Sequence, residues 1–422
     1  MKDVSGIILD GQKKIVVLSA MSGTTNTLVE ISDYLYKRNP DAANETINKL
    51  AAKYQGVVNE LYTTEAFRVK TMEQLNVHFD QIRSYTNNLF TLFEEKVVLA
   101  QGELMSTRMF TNFLQESGVK AELLPALEYM RVDKNGEPDN EYIRENLVKQ
   151  VEKYPEADIF ITQGFICLNA YGEVDNLQRG GSDYSASIVG AAIKAEEIQI
   201  WTDIDGMHNN DPRVVDKTSP VSHLHFEEAA ELAYFGAKIL HPTCILPAKL
   251  ANIPVRLLNT MQPSAFGTLI SNQTEKSKIK AVAAKDGISA IKIKSGRMLL
   301  AYGFLRKVFE IFESYQTPID MITTSEVGVS LSIDNSKHLQ EILDELKKFG
   351  TVSVDSNMVI ICVVGDLEWE NVGFESKVME ALRDIPVRMI SYGGSNYNIS
   401  LLVKAEDKKR TMQALSDTLF NN

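Results

Sequence analysis

Arg179-Gly180-Gly181-Ser182-Asp183 close a polar stretch and open an apolar-periodic run through Ala186, Val189, Ala192 and Ile193. Ser182 suits a helix N-cap and Asp183 a first turn. Two glycines let the backbone approach a ligand closely. Unpaired N–H groups at a helix start make an anion site, and Arg179 adds a planar cation for a carboxylate or phosphate. The same five residues also make an ordinary Gly-Gly turn capped by Ser. Two more glycine turns follow strand-like runs, at 21–26 and at Gly164. Arg213 can neutralise phosphate charge. Lys238, a lone Lys in an apolar setting, reads as a phosphate ligand or as a snorkelling surface Lys. Glu103 lies beside Gly102 among Val98, Leu99, Leu104 and Met105; facing inward, it would need a cationic partner. There is no GxxxxGK[ST], no GxGxxG and no Ser/His/Asp or Cys/His constellation. This combination fits phosphoryl transfer to a group that is already an anion. A carboxylate nucleophile needs no general base, and Lys, helix N-termini and Mg²⁺ supply positioning and charge stabilisation. His223, His225, Glu227 and Glu228 read as exposed polar residues before a helix. No further His or Cys is spaced to complete a zinc site, so no metal ligand set is expected.

The elements that position these residues alternate between strand and helix. A short helix covers residues 1–9. The strand Ile15–Ala20 runs into the 21–26 turn and a helix through Leu28, Ile31 and Leu35. Residues 41–117 read as helices, 121–127 as a strand, 130–140 as a polar hairpin and 141–153 as a helix. Strands at 159–165 and 198–203 follow, the second ending in a loop with Asp203, Asp205, Asp211 and Arg213. This order predicts an α/β domain with a mainly parallel sheet covered on both faces. The polar segment 271–280 reads as a linker. Beyond it Gly303–Phe312 matches Gly373–Leu382, Met321-Ile322 matches Met389-Ile390, and Ser330-Leu331-Ser332 parallels Ser400-Leu401-Leu402. Each copy reads strand, helix, strand, strand, helix, which predicts two small α+β modules.

The chain has 422 residues, a 44% hydrophobic share, a 24% charged share and a net charge of −12. These values suit a globular protein of two or three domains and argue against a nucleic-acid or anionic-membrane partner. Cys167, Cys244 and Cys362 are odd in number and far apart, which fits a reducing compartment. The chain shows neither a signal peptide nor a membrane-length apolar run, so a cytoplasmic location is expected.

With these motifs the sequence resembles the aspartokinases, amino-acid-kinase-fold enzymes that phosphorylate the β-carboxyl of L-aspartate. The resemblance covers essentially the whole chain, through VVLSAMSGTTN (16–26), GELMST (102–107), RGGSD (179–183), WTDIDG (201–206), DPR (211–213), FGAKILHP (235–242) and ITTSE (322–326). It implies a three-layer amino-acid-kinase-like domain over 1–273. Two ferredoxin-like ACT modules would follow at 280–356 and 357–422, with strands exchanged between them. It implies that Thr25, Glu103, Arg179, Gly180, Gly181 and Ser182 contact aspartate. Asp183 and Lys238 would serve the phosphate. Thr202, Asp203, His208, Arg213, Lys238 and Ile239 would contact ATP, with Mg²⁺ accompanying the nucleotide. Met298, Ala301, Phe304, Leu305, Asp320, Ser325 and Glu326 would line an allosteric site for an end-product amino acid, lysine by the resemblance, with threonine the other candidate. His208 stands where many members have Tyr, and Ala301 where lysine-sensitive members often have Ser. The family pairs its ACT modules between subunits, so a homodimer or higher oligomer is expected. It also opens with a strand running into Lys-Phe-Gly-Gly-Thr-Ser. Met1 lies beyond that segment, so the sheet is expected to lack its first strand and the site its principal phosphate Lys. The expected reaction is ATP plus L-aspartate to ADP plus 4-phospho-L-aspartate, the first step toward lysine, threonine and methionine. The alternatives are a catalytically impaired, amino-acid-binding regulatory protein derived from such an enzyme, and a kinase for another acidic substrate.

Overall fold

The computed structural model describes residues 1–177, 181–236, 240–295 and 302–420. The elements begin with α1 (Lys2–Ile8), β1 (Lys14–Leu18), α2 (Thr24–Tyr36), α3 (Pro40–Leu61), α4 (Glu65–Ser84), α5 (Leu92–Glu116) and β2 (Ala121–Leu124). Next come α6 (Asn140–Glu152), β3 (Ile159–Gln163), β4 (Ile166–Leu168), β5 (Val174–Asn176), α7 (Gly181–Ile193), β6 (Ile198–Thr202), β7 (His223–His225) and α8 (Phe226–Tyr234). They are followed by α9 (Leu246–Ala251), β8 (Val255–Asn259), β9 (Thr268–Ser271), β10 (Ile279–Lys294), α10 (Phe304–Ser314), β11 (Met321–Ser325) and β12 (Gly328–Ile333). The last are α11 (Leu339–Leu346), β13 (Thr351–Gly365), α12 (Phe374–Ala381), β14 (Met389–Ser391), β15 (Asn398–Lys404) and α13 (Lys408–Leu419). The chain forms two compact units, Met1–Asp203 with Thr243–Ser264, and Ile204–Pro242 with Ala265–Asn422.

In the first unit β1, β3 and β2 form a parallel sheet in the order β1-β3-β2. Strand alternation divides its side chains. Val16, Leu18, Ile159 and Ile161 pack with Ile8, Phe110 and Leu114 on one face. Ile15, Val17 and Phe160 pack with Ile143, Leu147, Ile188 and Val189 on the other. Helices α1 and α5 thus cover one face and α6 and α7 the other, as a parallel sheet requires. A further cluster joins α2 to α5 through Leu28, Ile31, Ile47, Tyr54, Phe79, Val98 and Met105. These helices start where the sequence caps them. The Asn39 side chain accepts from the Ala42 N–H, with Pro40 at the first helical position of α3, and Thr91 and Glu94 form a capping box on α5.

In the second unit six antiparallel strands form one sheet in the order β11-β12-β10-β13-β15-β14. The sequence repeat is also a repeat of register. Met321 opposes Ser332 in the first copy, as Met389 opposes Leu402 in the second; Ile322–Leu331 corresponds to Ile390–Leu401. Gly303 and Gly373 head α10 and α12 with φ of 83° and 95°, a left-handed conformation that favours glycine. Strand β10 serves both copies. Its Ile279–Lys285 half pairs with β13 from Ile360 to Gly365, and its other half pairs with β13 up to Met358 and also with β12.

The linker reading of 271–280 is corrected. Ser271 ends β9 and Ile279 starts β10. The Lys280 ammonium is buried, bonded to Glu275 and donating to the His223 carbonyl. Glu228 is not exposed either: it is 1% accessible and accepts from the His225 N–H in a capping box on α8. All three cysteines are buried and none is in a disulfide. No helix among the described residues is long and apolar enough to cross a membrane.

Gly236 follows α8 with φ of 125°, and a Cβ there would lie 2.2 Å from the Ala284 carbonyl oxygen of β10. Gly236→Ala therefore adds a clash to backbone strain of about 1–3 kcal/mol. A clear drop in thermal midpoint is expected. An unchanged midpoint would mean that 235–236 can leave β10 freely.

Candidate active site

Gly102 determines where Glu103 sits. A Cβ on Gly102 would come 2.8 Å from the Ala20 Cβ, so only glycine lets α5 press against the turn leaving β1. Glu103 then lies under that turn, 4% accessible. The Ala20 N–H donates to its Oε1 (3.2 Å). Its Oε2 is buried with no partner among the described residues. Burial pushes its pKa up to about 7, against the pull of the Ala20 N–H. The cationic partner expected from the sequence is not among the described residues.

The β1 end is fixed on three sides. The Ser106 hydroxyl donates to the Ser19 carbonyl (2.8 Å), the Lys53 ammonium to the Ser22 carbonyl (2.6 Å), and the Gly164 N–H to the Leu18 carbonyl (2.9 Å). The Ser19 hydroxyl donates to the Ser182 hydroxyl (2.7 Å). Gly164 meets the same residue: its Cβ position is 2.5 Å from the Ser182 Cβ. The turns after β1 and β3 and the first turn of α7 thus converge, at the strand ends where open α/β sheets bind ligands. Ser182 is not the N-cap expected from sequence, because α7 already includes Gly181, with φ of 48°. It sits in the first turn beside Asp183, whose carboxyl burial pushes up to about 6. Thr25 is exposed in the first turn of α2. Arg179 and Gly180 lie outside the described residues, as do Lys238 and Ile239.

Sequence reading did not single out Ser19, Tyr54 or Phe165. The Tyr54 and Thr24 hydroxyls are 3.2 Å apart in the core beneath the turn. Phe165 holds a φ of 68°, rare for a bulky residue, and its N–H donates to the Ser185 hydroxyl (2.9 Å). The signal for Ser19 was available: it is the hydroxyl that ends the apolar run of β1.

The candidate nucleotide residues fall in both units. In the first, the Thr202 hydroxyl donates to the Asp203 carboxylate (3.1 Å). In the second, His208 is bonded to Asp205 (2.8 Å) and Thr218 (2.9 Å). Arg213 grips Asp211 through Nε (3.0 Å) and Nη2 (2.8 Å), which holds the Asp211 carboxyl below its usual range. The Arg213 side chain is 74% exposed, so it can turn to a phosphate at little cost.

The candidate effector residues split along β11. Ser325 and Glu326 stand at its end, where the Ser295 N–H donates to the Val327 carbonyl (3.1 Å), and Phe304 and Leu305 open α10. Asp320 precedes the other end. Five residues of strand at about 3.3 Å each put roughly 17 Å between the two groups within one chain. The Asp320 side chain is 1% exposed and bonded to Lys285 (2.8 Å). Met298 and Ala301 lie outside the described residues.

Known proteins bear out this reading of the fold. Residues 1–259 match the model of the amino acid kinase family, and residues 361–419 match an ACT domain. Lysine-sensitive aspartokinase 3 of Escherichia coli is 33% identical over 98% of this chain and 94% of its own length. Aspartokinase 1, chloroplastic, of Arabidopsis thaliana is 32% identical over 100% of this chain and 78% of its own. Among solved structures, E. coli aspartokinase III in complex with lysine and aspartate matches with a TM-score of 0.80 at 33% identity, over 99% of this chain and 96% of that one. Clostridium acetobutylicum aspartate kinase matches with a TM-score of 0.87 at 25% identity, over 99% and 96%. Taken with the converging glycine turns and the repeated register of the C-terminal sheet, these matches show that the chain belongs to the aspartokinases, amino acid kinases with C-terminal ACT domains.

Proposed function

We propose that this chain transfers the γ-phosphoryl group of ATP to the β-carboxylate of L-aspartate, giving 4-phospho-L-aspartate and ADP, as the first step toward lysine, threonine and methionine. The observation that carries this reading is buried Glu103, with one oxygen on the Ala20 N–H and the other without a partner among the described residues. A substrate α-ammonium would satisfy that oxygen and the buried charge together. The first turn of α7, with Ser182 and the neighbouring Arg179 and Gly180, would then take the substrate's carboxylate end. A β-carboxylate oxygen attacks the γ-phosphorus, the bond to the bridging oxygen breaks, and ADP leaves with that electron pair. No proton has to be removed from the nucleophile, so the step needs no general base. Lys238, Arg213, His208, Thr202, Asp203 and Ile239 are the proposed nucleotide contacts, with Asp183 beside the transferring phosphate. Mg²⁺ would enter with ATP. An ion of this kind is held largely by the phosphates of the nucleotide. The effector would be an amino acid, lysine first, bound near Phe304, Leu305, Ser325 and Glu326 in a homodimer or higher oligomer.

The test is aspartate-dependent ADP formation from MgATP, with the acyl phosphate trapped by hydroxylamine as the hydroxamate. Saturable ADP release with matching hydroxamate is expected. ADP release indifferent to aspartate, or faster with glutamate, would remove the substrate assignment.

A further inference from the structure

The second unit contains a charge cluster that the catalytic reading does not use. The Lys285 ammonium, on β10, bonds Asp320 (2.8 Å) and Asp334 (2.9 Å) and lies 4.3 Å from the centre of the Tyr234 ring. The Tyr234 hydroxyl donates to the same Asp320 oxygen (3.0 Å). The other Asp320 oxygen is buried with no partner among the described residues. One ammonium thus serves two carboxylates, one buried on Asp320 and one exposed on Asp334. Such an arrangement is sensitive to small displacements.

The cluster joins two functional segments. Asp320 immediately precedes β11, whose far end carries Ser325 with Glu326 next to it. Tyr234 ends α8, and Lys238 follows four positions later in the sequence. The same unit grips this segment elsewhere. Gly236 sits against the Ala284 carbonyl, the Val282 N–H donates to the Asn209 carbonyl (2.8 Å), and Val215 packs in the core with Val282, Val359 and Ile361. The stretch with His208 and Arg213 is therefore built onto the regulatory sheet and belongs to the same compact unit.

We propose that Tyr234 and Lys285 are positioning residues that transmit effector occupancy at the β11 hairpin, through Asp320, to the C-terminal end of α8. A hydrogen-bonded strand moves as one piece, so a ligand that shifts Ser325 and Glu326 shifts Asp320. Asp320 in turn holds the end of α8 by the Tyr234 hydroxyl. This rests on the effector reading above, and the test separates the two.

The experiment measures amino-acid binding by calorimetry and inhibition by initial rates, using lysine and threonine, on the full chain and on Tyr234→Phe, Lys285→Arg, Lys285→Met and Glu326→Ala. Tyr234→Phe is expected to keep kcat and KM within about twofold and to bind effector normally. Its half-inhibiting concentration rises roughly tenfold or more, within the usual range of allosteric coupling. Effector is expected to raise the KM for ATP of the parent, and that rise disappears in Tyr234→Phe. Lys285→Arg retains inhibition and Lys285→Met loses it. Tyr234→Phe inhibited like the parent would overturn the inference. Normal binding by Glu326→Ala, or no binding by the parent, would instead overturn the effector reading, and the inference with it.

Discussion

Replacing Glu103 by Gln is expected to raise the KM for aspartate by about 30- to 5,000-fold, because truncating one partner of a buried charge pair costs about 2–5 kcal/mol. The amide keeps the shape and can still accept from the Ala20 N–H, so kcat and KM for ATP change far less. The same substitution is expected to stabilise the ligand-free protein at alkaline pH. Burial raises the Glu103 pKa from its ordinary 4.5 to about 7, so the folded state binds this proton more tightly than the unfolded state. That contribution is fully present below about pH 4.5 and is lost as pH rises through about 7. Above that, the parent carries a buried, poorly compensated carboxylate, at a cost on the order of 3 kcal/mol. Glu103→Gln should therefore melt higher than the parent at pH 8, and the gap should close at pH 5. Aspartate recognition runs the other way, since only the carboxylate attracts an ammonium. The parent's KM for aspartate should fall as pH rises from 6 to 8, and the Gln variant's should stay flat. Kinetics and melting at three pH values check both signs. A KM within threefold of the parent would show that the substrate ammonium goes elsewhere.

What the sequence revealed and what it hid divide along a physical line. Features that depend on local backbone chemistry were legible. The glycine turn after β1, with Gly23 at positive φ, and the Gly-Phe heads of α10 and α12 carry their reasons within a few residues. Features that arise from packing were not. Ser19 meets Ser182 only because β1 and α7 pack together, and Tyr54 reaches Thr24 only through the packing of α2 on α3. Lys280 looked like part of a solvated linker, because composition cannot show that Glu275 and the His223 carbonyl would receive its ammonium. The placement of residues 204–242 in the second unit had no compositional mark, since its anchors, Val215 and the Asn209 carbonyl, are ordinary residues. Ser182 reads as an N-cap because a Gly-Gly pair looks like the end of a loop, whereas α7 starts at Gly181 and holds Ser182 within its first turn.

Gly164→Ala is expected to lower kcat/KM by about 100-fold, the usual result of moving a catalytic element by about 1 Å. The backbone at Gly164 does not have positive φ, so alanine meets no conformational objection there. The obstacle is Ser182. The new Cβ would lie 2.4 Å from its Oγ, 2.5 Å from its Cβ and 2.7 Å from its Cα. Rotating the Ser182 side chain relieves only the first of these clashes. The overlap with its backbone forces the first turn of α7 to retreat, which breaks the Ser19–Ser182 hydrogen bond and turns the helix N-terminus away from the strand ends. Overpacking of this kind costs about 1–3 kcal/mol in stability, less than unfolding requires, so the variant should remain folded but poorly active. Gly56→Ala is the control. It lies within α3 with nothing within 4 Å of the new methyl, and should stabilise by roughly 0.5–1 kcal/mol without touching the kinetics. If Gly164→Ala instead keeps its kcat/KM within threefold while melting lower, the first turn of α7 tolerates displacement and does not hold the reacting groups. If both variants lose activity alike, the loss reports general sensitivity to added methyl groups, and the convergence of the two strand ends on Ser182 is not what makes the site.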